Sequence, residues 1–195
     1  MLTRDFQRQA VYDAEIIVRR LFDNARTGQN PVVTLGGVTL TLPPEALFGD
    51  LQSAETHANR VLALPQVQER FGAARAVRVR RRQGLHRAHY EPRRAVIAIP
   101  DDVRWALREL VLLHELAHHL DPSRKDVSHC IHGPVFVDTY FTLLELVMAP
   151  EAALAARIIF RDNDIVHSTP QNSEASCRDR SRLVPYPSRS RSGSE

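Results

Sequence analysis

The sequence has little cysteine, a single lysine and no long apolar run. Its two cysteines, Cys130 and Cys177, are too few for a disulfide framework, and the absence of any Cys-x-x-Cys pair excludes a structural zinc ribbon. Because no stretch of eighteen apolar residues occurs, we expect no membrane-spanning segment. Residues 1–7 lack an apolar signal core, which predicts a cytoplasmic protein.

The basic charge of the chain is small and unevenly spread. The net charge is +3, of which residues 166–195 contribute +2, with five arginines against three acids, and residues 1–165 only +1. Residues 75–94 are the exception, because eight arginines there face the single acid Glu91. This cluster raises the alternative of a nucleic-acid-associated protein, and we expect any such binding to be weak, salt-sensitive and independent of base sequence. Arginine richness alone is weak evidence, since Lys125 is the only lysine among 26 basic residues.

The composition is that of an ordinary globular protein, with 43% hydrophobic and 25% charged residues. A chain of 195 residues is long enough for one domain with a buried core. From residue 168 onward serine, proline and arginine dominate, and apolar residues are few. We therefore predict a single domain over residues 1–167 and a disordered tail over residues 168–195.

Hydrophobic periodicity predicts an α+β fold, in which a small antiparallel sheet packs on helices. Helical spacing of apolar residues is found at 3–25, 45–48, 53–64, 65–71, 103–120, 135–147 and 151–160. Strand patterns are found at 32–42, 77–80, 88–90 and 95–99. Gly36-Gly37 divides the first of these, which predicts a hairpin with a two-residue turn.

The predicted helix at 103–120 carries a His-Glu-x-x-His motif. His114 and His118 are four residues apart, so a helix places both imidazoles on one face, where they can bind one zinc ion. Glu115 is then placed to act as general base on a zinc-bound water. We expect the helix to begin at an N-cap supplied by Asp101 or Asp102.

A catalytic zinc site needs three protein ligands and one open position for water. The third ligand has to lie outside the motif, and the candidates are His129, His132 and Glu145. We favour His132, because Gly133-Pro134 opens a helix directly after it and a packed helix would hold the ligand still. His129 lies in a polar loop without such support, and it and Glu145 stay as alternatives.

The motif and its surroundings resemble the SprT-like zinc metallopeptidases. The resemblance is carried by Leu113-His114-Glu115-Leu116-Ala117-His118 and by His132-Gly133-x-x-Phe136. Together with residues 95–99 and the segment Val11-Tyr12-Asp13-Ala14-Glu15, the pattern is also similar to a small family of metallohydrolases known chiefly by this motif. The close match covers residues 95–140. Many SprT-like proteins add a zinc ribbon, which this chain lacks.

The resemblance implies a zincin-like fold around the His-Glu-x-x-His helix, with His132 as third ligand and Glu115 as general base. It implies Zn²⁺ as cofactor, a peptide or protein as substrate, and an edge strand near the site that could bind an extended peptide. Tyr140 would polarise the scissile carbonyl, unless it is an ordinary core aromatic.

Several other residues have two interpretations at this point. His119 is either a surface residue or a hydrogen-bond partner of a ligand, and Glu145 is either such a partner or a solvated helix residue. His86, His89 and Tyr90 either line the cleft or are exposed strand residues.

Three functions follow from these patterns. The first is a zinc-dependent hydrolase, a peptidase by preference. The second is a SprT-like protease associated with nucleic acid, or a DNA-binding protein, that uses residues 75–94. The third is a binding module with a structural metal. The third fits less well, because structural zinc sites fill all four positions with protein ligands, often cysteines, and only Cys130 is near the motif.

Overall fold

The computed structural model of the chain describes residues 5–83, 87–103, 105–125 and 130–167. The predicted disordered tail at 168–195, together with His86 and His129, lies outside the described residues. Within them, no helix is both long enough and apolar enough to cross a membrane.

The described residues form an α+β fold of six α-helices and five short strands. The elements in chain order are α1 (Arg8–Thr27), β1 (Val32–Leu35), β2 (Val38–Thr41), α2 (Leu51–Leu62), α3 (Pro65–Phe71), β3 (Arg78–Arg81), β4 (His89–Glu91), β5 (Val96–Ile99), α4 (Glu109–Leu120), α5 (Pro134–Leu143) and α6 (Pro150–Asp162). A short 3₁₀ helix, Pro122–Lys125, follows α4, and a π-helical turn, Leu144–Met148, continues α5.

The hairpin predicted at 32–42 is confirmed. β1 and β2 pair antiparallel, with Leu35 opposite Val38. Gly36 and Gly37, at φ values of 54° and 79°, form the turn. Two consecutive positive φ values are what a tight hairpin turn requires, and glycine adopts them without strain.

The second sheet is mixed, so the prediction of a purely antiparallel sheet is wrong. Its strand order is β3-β5-β4, with β3 parallel and β4 antiparallel to β5. The reason is the apolar character of β5, whose residues Ile97, Ala98 and Ile99 are fully buried. A strand that is apolar on both faces takes the centre of a sheet, which leaves the arginine-rich β3 and the polar β4 at the edges.

Two local predictions before α4 are also wrong. Residues 45–48 are not helical but run beside residues 107–109, where Leu47 bridges Arg108. The amide of Phe48 donates to the Leu107 carbonyl at 2.9 Å, and the amide of Glu109 donates to the Ala46 carbonyl at 2.9 Å. These backbone bonds replace the local bonds of a short helix, which is marginal without tertiary support.

Helix α4 begins at Glu109, several residues after the N-cap predicted at Asp101 or Asp102. The cap comes from a distant segment: the Glu45 carboxylate accepts from the Leu110 amide at 3.1 Å and also pairs with the Arg108 guanidinium. A carboxylate at the start of a helix satisfies a free amide and is favoured by the helix dipole. The cap therefore depends on tertiary structure.

Helix α4 is almost fully buried, because its apolar residues are spread around the helix. Every residue of α4 except His118 is buried. Helix α5 packs along it, and α2 and β4 contact it elsewhere. Helix α1, which packs on α6, brings its buried stripe toward the His-Glu-x-x-His segment. The motif is thus enclosed by α1, β4 and the start of α5.

Candidate metal centre

Three histidines meet where α4 faces the start of α5. His114 and His118 lie on successive turns of α4, and their Nε2 atoms are 3.1 Å apart. His132 stands just before α5, and one nitrogen from each of the three rings lies within 4.8 Å of the other two. Tetrahedral zinc with nitrogen bonds of roughly 2.0–2.1 Å needs nitrogens about 3.3–3.4 Å apart. The limit of 4.8 Å is wider than this spacing, and the three histidines could hold a metal ion.

The ring of His132 is held with one nitrogen left for a ligand bond. Its Nδ1 donates to the Asp5 carboxylate at 2.6 Å, and its backbone carbonyl accepts from the Gln7 side chain at 2.7 Å. The Nε2 atom is buried and finds no hydrogen-bond partner among the described residues. A buried imidazole lone pair without a partner is costly, and coordination of a metal ion would satisfy it. The donor set therefore fits a metal ion.

His114 is held in the same way from α1. Its Nδ1 donates to the Glu15 carboxylate at 2.5 Å, so the Nε2 atom is the one directed toward His118. Burial lowers the pKa of His114 well below its usual value, which keeps the imidazole neutral as a metal ligand requires. Burial also raises the pKa of Glu15 to about 7.

One phenyl ring packs against all three histidines. Phe136 of α5 packs on His118 with ring centroids 4.3 Å apart, on His114 at 4.9 Å and on His132 at 5.0 Å. Val135, the residue before Phe136 in α5, is exposed and does not take part in this packing. These contacts with the Phe136 ring restrain the orientation of the three imidazole rings.

Glu115 lies beside the three histidines with a carboxylate oxygen that is not used by the fold. The residue is 3% exposed, and its Oε2 atom has no hydrogen-bond partner among the described residues. Burial, and to a lesser degree the nearby Glu15 carboxylate, raise the pKa of Glu115 to about 8, while a hydrogen bond from the Tyr90 backbone acts in the opposite direction. The group can therefore take up and release a proton near neutral pH.

A cavity of about 400 Å³ opens beside the centre and is bounded by β4, an edge strand of the mixed sheet. Glu115, His118 and His132 line it on one side, and His89 and Tyr90 on the other. Two of the residues considered for the cleft are thus at its wall, whereas His86 lies outside the described residues.

Tyr140, which we considered as an oxyanion donor, lies in the core. It is 1% exposed, and its ring packs between Phe136 and Phe160, with centroids 6.4 and 6.2 Å away. Its ring is 6.0 Å from that of His114, on the inner side of α5, and it does not line either of the two cavities that adjoin Glu115. This placement favours the role of a core aromatic.

Tyr12 of α1 borders the cleft together with Tyr90 of β4. The Tyr12 ring lies 5.0 Å from that of His132 and 5.7 Å from that of His114, and the side chain lines both cavities next to Glu115. Sequence reasoning missed Tyr12 and Glu15 as site residues. A signal was present, because an acidic residue at position 15 interrupts the otherwise apolar buried stripe of α1.

The remaining candidates are away from the three nitrogens. His119 donates from Nε2 to the Arg75 carbonyl at 2.8 Å and accepts at Nδ1 from the Tyr90 hydroxyl at 2.6 Å, so it ties α4 to β4. Glu145 pairs with Arg157 at 3.6 Å on the surface. His129 lies outside the described residues.

No protein-family model, no curated protein and no solved structure matches the chain. The interpretation of the centre therefore rests on its own geometry.

Proposed function

We propose that the protein is a zinc-dependent metallopeptidase with a zincin-like, SprT-like arrangement of its active site. The observation that carries the proposal is the meeting of three imidazole nitrogens next to a cavity that Glu115 also lines, with a buried carboxylate oxygen of Glu115 that has no hydrogen-bond partner among the described residues. Structural zinc sites are closed by four protein ligands, often cysteines. Three histidines beside an open cavity, and a carboxylate with one oxygen that has no hydrogen-bond partner among the described residues, instead suit a hydrolytic centre.

The three histidines would bind the metal through the nitrogens that face one another, while Glu15 and Asp5 hold the rings of His114 and His132 by their other nitrogens. A bound zinc ion would keep one coordination position open and lower the pKa of a water there toward about 7. Because the carboxylate partners are already in place, little ordering would be needed when the metal binds.

Glu115 would act as the general base. Its carboxylate takes a proton from the attacking water as the water oxygen bonds to the scissile carbonyl carbon. It then gives that proton to the leaving amine nitrogen as the carbon–nitrogen bond breaks. A raised pKa suits both steps, because the group must accept and then donate within one cycle.

The substrate would lie in the cavity along the outer edge of β4, whose inner edge is paired with β5. An extended peptide adds to such an edge through main-chain hydrogen bonds. Tyr12, between the histidines and the cavity, would donate its hydroxyl proton to the carbonyl oxygen as negative charge develops there.

The test combines metal content with hydrolysis for the purified full chain. Zinc should bind in a one-to-one ratio to the wild type and be lost from the His132→Ala variant, and only zinc-loaded wild type should cleave a denatured protein substrate. His167→Ala is the matched control, because His167 is a partly buried histidine that does not belong to the three-histidine cluster. Full zinc content in His132→Ala, or no cleavage by zinc-loaded wild type, would contradict the proposal.

The nucleic-acid alternative has less support from the described contacts. Arg80 pairs with Glu91, and Arg81 pairs with Asp101 at 2.9 Å. A guanidinium engaged by a carboxylate is less available to a phosphate. We keep this alternative as a weak, salt-sensitive association of residues 75–94 with phosphates.

A further inference from the structure

A second cavity, of about 350 Å³, adjoins the centre. Arg19 and Arg87 line this second cavity, which is therefore called the arginine cavity. His114 and Glu115 also line it. The cavity of about 400 Å³ that is bounded by β4 is called the β4 cavity. Glu115 and Tyr12 line both the arginine cavity and the β4 cavity. A substrate that occupies the β4 cavity with its scissile bond at Glu115 can therefore extend a group into the arginine cavity.

Among the described residues, no carboxylate lies within ion-pairing distance of the Arg19 or Arg87 guanidinium. By contrast, Arg108 nearby pairs with both Glu45 and Asp23. Two unpaired guanidiniums in a concave site favour an anionic ligand.

Both guanidiniums are placed by aromatic rings. The Arg87 guanidinium lies 3.8 Å from the ring centroid of Tyr12, and that of Arg19 lies 5.7 Å from the ring centroid of Trp105. A ring face attracts the flat side of a guanidinium and leaves the N–H groups along its edge free to donate. Such donors match the two oxygens of a carboxylate.

Neither acid of the cavity forms an ion pair with Arg19 or Arg87 among the described residues, although both guanidiniums act on the nearby Glu15 carboxylate and lower its pKa against the larger effect of burial. Glu15 is engaged with the Nδ1 of His114, and Glu115 belongs to the reaction proposed above. The side chains of Ile16 and Val111 form apolar walls next to the charged groups. The cavity thus joins an apolar wall, suited to methylene groups, to two cationic donors.

From these contacts we propose that the arginine cavity is a specificity pocket that binds a carboxylate of the peptide substrate through Arg19 and Arg87. The inference rests on the proposed peptidase function. The carboxylate has two possible sources in a peptide: the side chain of an aspartate or glutamate next to the scissile bond, and the terminal carboxylate. Both present the same two oxygens to the guanidiniums.

The single tryptophan of the chain offers a binding readout that does not require hydrolysis, because Trp105 lines the cavity. Glutarate is titrated into the full chain, and the fluorescence of Trp105 is followed. We expect saturable binding that weakens about tenfold in Arg19→Met and in Arg87→Met, since each loses one charge-assisted contact. Arg20→Met and Arg93→Met are matched controls, because both arginines are exposed and neither lines the cavity. If the wild type and all four variants bound glutarate equally well, the proposal that Arg19 and Arg87 bind a carboxylate would be wrong.

Hydrolysis then separates the two carboxylate sources and the two proposals. If the side chain is the source, kcat/KM of the zinc-loaded wild type should be about tenfold higher for a peptide with glutamate next to the scissile bond than for the same peptide with glutamine. If the terminal carboxylate is the source, kcat/KM should be about tenfold higher for the peptide with a free C-terminal carboxylate than for its C-terminal amide. That preference should vanish in Arg19→Met and Arg87→Met. If the wild type cleaves peptides without either preference, the proposal of a carboxylate-binding pocket is wrong, while the proposed peptidase function still stands. Arginine-dependent glutarate binding without cleavage of any peptide overturns the peptidase function, and with it the assignment of the carboxylate to a substrate peptide.

Discussion

Glu15 and His114 are 99 residues apart in sequence and share a buried hydrogen bond of 2.5 Å. The bond joins the N-terminal helix to the second turn of α4 and fixes which nitrogen of His114 faces His118. The same side chain is the only acid on the buried stripe of α1, so its effect on metal binding can be measured separately from that of the three histidines.

Replacing Glu15 with glutamine should weaken zinc binding by about 10–100-fold, because the imidazole loses its charged hydrogen-bond partner. The measurement is a competition titration against a zinc chelator. Asp13→Asn is the control, since Asp13 is exposed on the other face of α1. Unchanged zinc affinity in Glu15→Gln would show that the carboxylate does not support the ligand.

Glu115→Gln should keep its zinc and lose hydrolysis by about 10²–10⁴-fold, because the amide cannot accept the proton of water. Zinc content and single-turnover cleavage are measured on the same sample. A metal-free Glu115→Gln protein would mean that the carboxylate is a ligand, and the role of general base would then be wrong.

Removal of metal with a chelator should lower the melting temperature of the wild type. Under the proposed function, zinc would bind the folded centre and not the unfolded chain, which would add about 4 kcal/mol to the free energy of unfolding when free zinc exceeds Kd a thousandfold. Differential scanning calorimetry with and without zinc measures the change. His118→Ala should be insensitive to zinc, and a zinc-dependent shift of the same size in that variant would place the metal elsewhere.

Tyr12→Phe should lower kcat by about 10²-fold, the effect expected when one donor to a developing oxyanion is lost, with little change in KM. Tyr140→Phe should have the smaller effect on kcat, because Tyr140 is enclosed by Phe136, Phe141 and Phe160. Steady-state kinetics of the two zinc-loaded variants provides the comparison. A larger loss of kcat in Tyr140→Phe would return the oxyanion role to that residue.

Glu45→Ala should lower the free energy of unfolding by about 3–5 kcal/mol, because it leaves the buried Arg108 without its principal partner. Arg108 is 4% exposed, and the same carboxylate caps the Leu110 amide at the start of α4. Chemical denaturation measures the effect, with Glu69→Ala as control, since Glu69 is exposed on α3. Equal stability of the two variants would show that the buried pair does not hold α4.

Patterns between near neighbours were sufficient for much of the fold. The alternation at 32–42 with its two glycines fixes a hairpin, and the apolar stripe of α1 fixes a helix, because each depends on bonds between residues a few positions apart. The spacing of His114 and His118 likewise decides that a helix presents both rings on one face. The interactions that determine each of these elements lie within the element itself.

The arrangement of those segments was decided by tertiary packing. The apolar β5 displaces β4 from β3 because burial at the sheet centre outweighs the short connection between those two strands. The start of α4 is set by Glu45, and the ring orientations of His114 and His132 are set by Glu15 and Asp5. Hydrogen bonds between residues tens of positions apart leave no periodic mark in a sequence, so local patterns predict which groups can act, and tertiary packing determines which of them meet.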